Sequence, residues 1–324
     1  MRQSYSSKKI ISFLEKHYNL NITSIRLFES GIENTNYLIK TKENKHVFRT
    51  YEELSIPSVE FEVSFINECK KKKLPVQKVS QTIDKKKIIF FNEKPAVLLS
   101  YIEGEDFTTI PLTKDLAIEI GTLIAKFHKK TSHYKPKGNP ARKHYWDAAQ
   151  FLVNEERLKF LHTLTIKKRI LDNIKEYKLM LPILQECPRG IIHNDFNAEN
   201  ILIKENKISG VIDFGDAIET FLIGDLAIPI AHICFQQEKP LELARVIVAA
   251  YNKEIPLTVP EKEVLFLLVK LRFMMGIITA NYLKEQLGEQ KDLNQLMKWG
   301  FESLLRIEEI GKERFDDALG LNKL

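Results

Sequence analysis

Two short apolar runs, Ile201–Ile203 and Ile208–Ile212, constrain this chain more than any other feature of its 324 residues. They are separated by the polar stretch Lys204-Glu205-Asn206-Lys207. Runs this short and rich in β-branched residues read as strands, and a polar connection of that length closes them into a hairpin. A hairpin brings the residue before its first strand and the residue after its second to one open end. Here those residues are Asn200 and Asp213. Asp195 stands on the loop that leads into the same end, in His193-Asn194-Asp195-Phe196-Asn197-Ala198-Glu199-Asn200. An amide oxygen and two carboxylates are therefore expected within a small volume.

That set suits phosphoryl transfer. Metal ions that bridge nucleotide phosphates want hard oxygen ligands, which Asn200 and Asp213 supply. An attacking hydroxyl needs a carboxylate to orient it and take its proton, and Asp195 is the candidate. The order H-x-D-x-x-x-x-N, apolar hairpin, then Asp213-Phe214-Gly215 is that of a kinase catalytic loop and its metal-binding motif. The expected activity is ATP-dependent, magnesium-requiring phosphorylation of a hydroxyl on a small molecule. His193 either acts as a general base or props the loop by hydrogen bonding.

The rest of the chain divides by periodicity. Asn36–Thr41 and Lys45–Thr50 read as a hairpin turning at Lys42–Asn44, and Ile88–Phe91 and Ala96–Tyr101 as two more strands. Ser58–Lys73 reads as a helix that follows Pro57, with Ser58 as its cap. After Tyr101 the pattern turns helical over Asp115–Lys130, Trp146–Met180 with interruptions, Leu241–Lys253, Glu261–Gln286 and Asp292–Lys312. The fold class is α+β: a bilobal protein-kinase-like arrangement with a small β-rich N-terminal lobe carrying one helix and a larger helical C-terminal lobe. Residues 1–101 form the nucleotide-binding lobe and residues 102–324 the catalytic and substrate-binding lobe.

On the nucleotide side, Glu29–Asn36 precedes the first hairpin. Gly31, with Ser30, Asn34, Thr35 and Asn36 as small polar companions, is placed to let backbone N–H groups approach the phosphates. Arg49 occupies the strand position for a cation that holds those phosphates. Its acidic partner on the following helix is Glu62, with Glu60 as the second choice. Ser100, Tyr101 and Ile102 are expected to form the hinge along the adenine edge.

Composition excludes other classes. Hydrophobic residues at 44% and charged residues at 28% give a soluble globular chain with ample core. The net charge of +6 and the runs Lys70–Lys73 and Lys85–Lys87 have no interleaved aromatic residues. They read as solvated surface, so no nucleic acid partner is expected. Phe221–Phe235 is interrupted by Asp225, Pro229 and His232, so no membrane span is expected either. Cys69, Cys187 and Cys234 lack metal-type spacing, and the first twenty residues lack a signal-peptide core. A reducing, cytoplasmic location follows. The oligomeric state is not legible.

Taken together, these residues resemble the aminoglycoside phosphotransferase and choline kinase superfamily, which has a protein-kinase-like fold. Ser30–Tyr37 is similar to the nucleotide loop of kinase-like homoserine kinases. Ile208–Asp216, and Leu265–Val269 with Arg272-Phe273, are similar to hydroxylysine kinases. The resemblance implies Asp195 as base, Asn200 and Asp213 as magnesium ligands, and ATP or GTP as phosphoryl donor. It also implies that Asp225, in Gly224-Asp225-Leu226-Ala227, supports the catalytic loop. Beside Asp195 the acceptor would meet Asp216 and Glu219 for an ammonium group, Arg142 or Arg272 for a carboxylate, and Tyr145 and Trp146 as an apolar wall. An amino acid or amino alcohol bearing a hydroxyl fits those charges. The rival readings are an aminoglycoside- or choline-type phosphotransferase, a non-catalytic nucleotide-binding scaffold on the same fold, and a kinase acting on polypeptides.

Overall fold

The computed structural model describes residues 5–28, 34–288 and 291–323. The chain begins with helix α1 (Ser7–Tyr18), then strands β1 (Ile22–Leu27), β2 (Asn34–Thr41) and β3 (Lys45–Tyr51). Helix α2 (Ile56–Lys71) and strands β4 (Ile89–Phe91) and β5 (Lys94–Ser100) complete an antiparallel sheet of order β1-β2-β3-β5-β4. Side chains alternate across its faces. Tyr37, Ile39, Phe48 and Leu98 pack with Ile10 and Leu14 of α1, whereas Val47, Val97 and Leu99 join the main core with Val59 and Phe65 of α2. This sheet is therefore covered by a helix on each side.

α1 corrects the expectation of a single helix in the first hundred residues. Its sequence SKKIISFLEKHY carries Ile10, Phe13 and Leu14 at helical spacing, but lysines and polar residues surround so narrow a stripe. A second correction concerns α2. The helix starts two residues earlier than Ser58, and the cap is Ser55, whose hydroxyl accepts from the Ser58 N–H. The fixed φ of Pro57 suits the first helical turn, so the proline lies inside the helix.

Beyond β5 the chain is mostly helical. α3 (Lys114–Thr131) is followed by a 3-10 run (Ala148–Phe160) and α4 (Leu164–Gln185). Strands β6 (Arg189–Ile192), β7 (Ile201–Lys204), β8 (Lys207–Val211) and β9 (Ile218–Phe221) come next. They are followed by α5 (Ile223–His232), α6 (Pro240–Glu254), α7 (Val259–Leu287), α8 (Lys291–Ile310) and α9 (Lys312–Leu319). The hairpin of β7 and β8 forms as expected, with Ile201 opposite Val211. Strand β9 was not expected; it pairs with β6, placing Ile192 opposite Ile218. The run read as one helix to Lys312 breaks at Gly311, which has φ 74°. α7 opens with a capping box between Thr258 and Glu261 and is buried on all sides from Val264 to Ala280. An all-round apolar helix of this kind belongs at the centre of a core. Among the described residues no helix is long and apolar enough to cross a membrane, and the three cysteines are unpaired and buried.

α3 crosses α6 unusually closely. A glycine inside a helix costs about 1 kcal/mol relative to alanine, yet Gly121 stands in the middle of α3. A Cβ at that position would lie 2.1 Å from the Ile247 carbonyl oxygen of α6. Gly121→Ala is therefore expected to lower stability by about 1–3 kcal/mol, because overpacking outweighs helix propensity. Chemical denaturation checks this; an unchanged or raised midpoint would show that the helices are not in such close contact.

Candidate active site

The loop between β6 and β7 is built on one buried carboxylate. Asp225, in the first turn of α5, is fully buried. Its Oδ2 accepts the His193 N–H at 3.0 Å and its Oδ1 accepts the Asn194 N–H at 2.7 Å. His128 Nε2 lies 3.1 Å from Oδ2, and the other nitrogen of that ring is 2.9 Å from the Tyr251 hydroxyl. The helix N-terminus adds a favourable field for the negative charge. Asn194 adopts φ 62°, a left-handed conformation that asparagine tolerates better than most residues. The loop turns there and delivers Asp195.

His193 is used up within the loop. Its Nε2 lies 3.1 Å from the Ile212 carbonyl, which can only accept, so that nitrogen carries the proton. Its Nδ1 accepts the Asp195 N–H at 3.2 Å. The ring packs between Phe196 and Phe214, with centroids 4.7 Å and 4.5 Å away. Burial lowers its pKa and keeps the imidazole neutral.

Asp195 is held by amides. Asn197 Nδ2 donates to Oδ1 at 2.8 Å, and Asn200 Nδ2 donates to Oδ2 at 2.6 Å and to the Asp195 carbonyl at 3.0 Å. Burial pushes the Asp195 carboxyl well above the usual range, the nearby charge of Asp216 adds to this, and Arg272 opposes it. Asp213 follows β8 with φ 60°, a strained conformation for a residue other than glycine. Its Oδ1 accepts Arg49 Nη1 at 3.0 Å and the Gly215 N–H at 3.4 Å.

Arg49 ties the sheet to this end of the hairpin. Its Nε donates to Asn36 Oδ1 at 2.9 Å, the residue opposite it in the β2–β3 register, and its Nη1 also reaches Glu62 of α2 at 3.1 Å. Burial works against the guanidinium charge, but Asp213 and Glu62 outweigh it and hold the group protonated.

Asn36, Arg49, Tyr101, Ile102, Asn200 and Asp213 line one cleft of about 450 Å³. Phe28, Val47, Leu202 and Ile212 add apolar surface, and Gln77, Asp106 and Glu199 add polar groups that sequence reasoning missed. A larger open groove of about 1160 Å³ runs along α2, but Lys70, Lys71, Lys78 and Lys135 on its walls meet no convergent site of this kind. Ser100 does not line the cleft: its hydroxyl accepts the Lys78 N–H and its carbonyl accepts Gln77 Nε2. Thr35 is fully buried and donates to Glu52. Asn34 is buried beside Gly215. Ser30 and Gly31 lie outside the described residues.

The acceptor-side expectations separate. His144 Nε2 lies 3.0 Å from Asp216 Oδ1; burial alone would raise the Asp216 pKa, but His144, Arg142 and Arg272 bring it below the ordinary value. Arg142 donates to the Gly215 carbonyl. Arg272 is buried, donates to the Trp146 carbonyl at 2.9 Å and stacks over that indole, with its charge felt at Asp195 and Asp216. Tyr145 is not brought to this group: its hydroxyl donates to Glu156 and its ring lies under Arg157. Glu219 is exposed on β9, opposite Ile191. His144 carried no signal in the sequence, because its partner is more than seventy residues away.

The donor set fits magnesium. No group of three or more His, Cys, Asp or Glu side chains that could hold a metal occurs among the described residues. Asn200 spends its amide nitrogen on Asp195, which leaves Oδ1 free, and no described group donates to Asp213 Oδ2. Two hard oxygens at the edge of a nucleotide-sized cleft suit an ion that completes its shell with phosphate and water.

An antiparallel sheet ahead of a helical part, with this loop and hairpin at the cleft, defines a protein-kinase-like phosphotransferase acting on small-molecule hydroxyl groups. The model of the APH phosphotransferase enzyme family matches residues 24–261, and the chain belongs to that family. Homoserine kinase from Zymomonas mobilis is 27% identical over 281 residues, covering 84% of this chain and 86% of that protein. Hydroxylysine kinase from Xenopus laevis is 29% identical over 241 residues, covering 68% of this chain and 64% of that protein. Among solved structures, an amicoumacin kinase in complex with AMP-PNP, Ca2+ and Ami superposes with a TM-score of 0.71 at 14% identity. It covers 97% of this chain and 94% of that one.

Asp225→Asn exchanges one acceptor for a donor that faces a backbone N–H. Hydrogen bonds to charged groups contribute about 1.5–3 kcal/mol each, so stability should fall by about that much and turnover with it. Thermal unfolding and steady-state assay test the pair; a variant with the wild-type midpoint and rate would show that Asp225 does not hold the loop.

Proposed function

We propose that this protein transfers the γ-phosphoryl group of a magnesium–nucleoside triphosphate to the hydroxyl of a small amino acid or amino alcohol, of the homoserine or hydroxylysine type. The observation that carries this reading is the convergence of Asp195, Asn200 and Asp213 beside a cleft that Arg49 also lines. Residues 1–101 hold the nucleotide and residues 102–324 supply the catalytic loop and acceptor pocket. The similarity to homoserine and hydroxylysine kinases supports the substrate class.

In the proposed reaction, Asp195 orients the acceptor hydroxyl and accepts its proton. The hydroxyl oxygen forms the new bond to the γ-phosphorus, the bond from that phosphorus to the bridging oxygen breaks, and the nucleoside diphosphate leaves with that electron pair. The amide donors of Asn197 and Asn200 fix both oxygens of Asp195, so the carboxylate arrives in one orientation. His193 braces the loop and takes no part in proton transfer, since both its nitrogens are engaged. Magnesium held by Asn200 and Asp213 would neutralise phosphate charge. Arg49, with its fork shared among Asn36, Glu62 and Asp213, keeps that metal-binding carboxylate aligned with the sheet and places a cation on the cleft wall. Asp216 supplies negative charge near Asp195, and Arg142 and Arg272 supply positive charge, which matches an acceptor with both an ammonium and a carboxylate.

Asp195→Asn is expected to reduce kcat by about 10²–10⁴-fold, the usual contribution of a general base, while magnesium–nucleotide affinity stays within a few-fold. Near-wild-type turnover in that variant would overturn the assignment. The acceptor is tested by steady-state ADP release with homoserine, hydroxylysine, ethanolamine, choline and kanamycin. A hydroxylated amino acid should be preferred, and analogues lacking one charged group should lose up to about 10⁴-fold in kcat/KM, because a buried partner is left unpaired. A preference for kanamycin would contradict the amino-acid reading; no turnover despite nucleotide binding would favour a scaffold.

A further inference from the structure

The end of the nucleotide cleft is closed by Gln77, a residue outside the catalytic loop and the hairpins. Its backbone is pinned on both sides. Val76 bridges to Val211 at the end of β8, Val79 bridges to Leu99 of β5, and Lys78 exchanges hydrogen bonds with Ser100. Only 5% of Gln77 is exposed, and it lines the cleft with Tyr101 and Ile102. Its Nε2 donates to the Ser100 carbonyl at 3.0 Å. That bond settles which way the amide faces. The flipped orientation would set Oε1 against a carbonyl oxygen, two acceptors in a desolvated place, which costs about 1–3 kcal/mol for the unmet group. Oε1 is therefore the atom turned away from Ser100, and no described group donates to it.

Ser100 was expected to form the hinge along the adenine edge together with Tyr101 and Ile102. Ser100 is instead off the cleft wall, and Gln77 covers its carbonyl and offers its own oxygen in that place. Ile102 lines the same cleft, and its N–H donates to no described residue. Two residues of the cleft lining thus carry an unspent acceptor, at Gln77, and an unspent donor, at Ile102. Adenine offers the complement, a donor at its 6-amino group and an acceptor at N1. Guanine reverses both, with an acceptor at O6 and a donor at N1. Glutamine and the 6-amino group of adenine also pair in nucleic-acid recognition, for the same reason of matched donors and acceptors.

We propose that Gln77 reads the purine of the phosphoryl donor: its locked amide oxygen accepts the 6-amino group of adenine and rejects the 6-oxo group of guanine. This rests on the kinase reading and narrows it to an adenine nucleotide. Gln77 is a specificity residue, distant from the reacting phosphate, so its loss should change which nucleotide is used far more than how fast the phosphoryl group moves.

The test is equilibrium binding, with magnesium, of three diphosphates: ADP, GDP and that of unsubstituted purine riboside. The last keeps the N1 acceptor and lacks only the amino group. The wild-type protein should bind ADP about tenfold or more tightly than either of the others, the value of one well-made buried hydrogen bond. In Gln77→Met, of similar volume, the three affinities should converge to within about threefold, chiefly through weaker ADP binding. Equal wild-type affinity for ADP and the purine riboside diphosphate would overturn the proposal without recourse to a variant. So would an unchanged ADP-to-GDP ratio in Gln77→Met, and either result would leave the kinase reading standing. Failure of the wild-type protein to bind any of the three would overturn both.

Discussion

The buried carboxylate of Asp225 is the contact on which the rest of the site depends. A fully buried charge is costly unless donors surround it, and this one is met by two consecutive backbone N–H groups and a histidine. Consecutive N–H groups can converge on one carboxylate only if the backbone between them turns, and Asn194 makes that turn in the left-handed region. From there the position of Asp195 follows, and from Asp195 that of the Asn200 side chain. The anchor itself belongs to α5, so the reach of the loop is set by how α5 packs against α3 and α7 rather than by the loop's own sequence.

Arg49 plays the matching part across the cleft. Its three acceptors come from β2, α2 and the segment after β8, so one planar group registers the sheet, its helix and the Asp213 end of the hairpin against one another. A guanidinium suits this better than an ammonium, because its fork has fixed directions and stays charged when buried. Asp213 in turn is held with positive φ, a strain that the surrounding contacts sustain. The two anchors, Asp225 below the loop and Arg49 opposite it, leave the functional oxygens few ways to move.

Much of this was legible in the chain because it is local. Asp195, Asn200 and Asp213 span nineteen positions joined by a hairpin, so strand pairing alone brings them together. The Arg49–Glu62 pair is thirteen residues apart and joins one strand to the next helix. What could not be read depends on distant packing. Gln77 meets Ser100 only after two bridges fold it against β5 and β8. His144 pairs with Asp216 of the segment between β8 and β9, and Tyr145 turns toward Glu156 and Arg157 of the 3-10 run; no short-range pattern announces either contact. α1 was missed for a different reason: it buries only a narrow stripe, whose lysine-rich surroundings look like surface.

The most direct test is a crystal structure with magnesium, a non-hydrolysable ATP analogue and homoserine or hydroxylysine. The ion should sit on Asn200 and Asp213, the nucleotide in the cleft lined by Arg49, and the acceptor hydroxyl within hydrogen-bond distance of Asp195 and in line with the γ-phosphorus. A metal bound away from Asn200 and Asp213, or an acceptor hydroxyl turned away from Asp195, would contradict this arrangement.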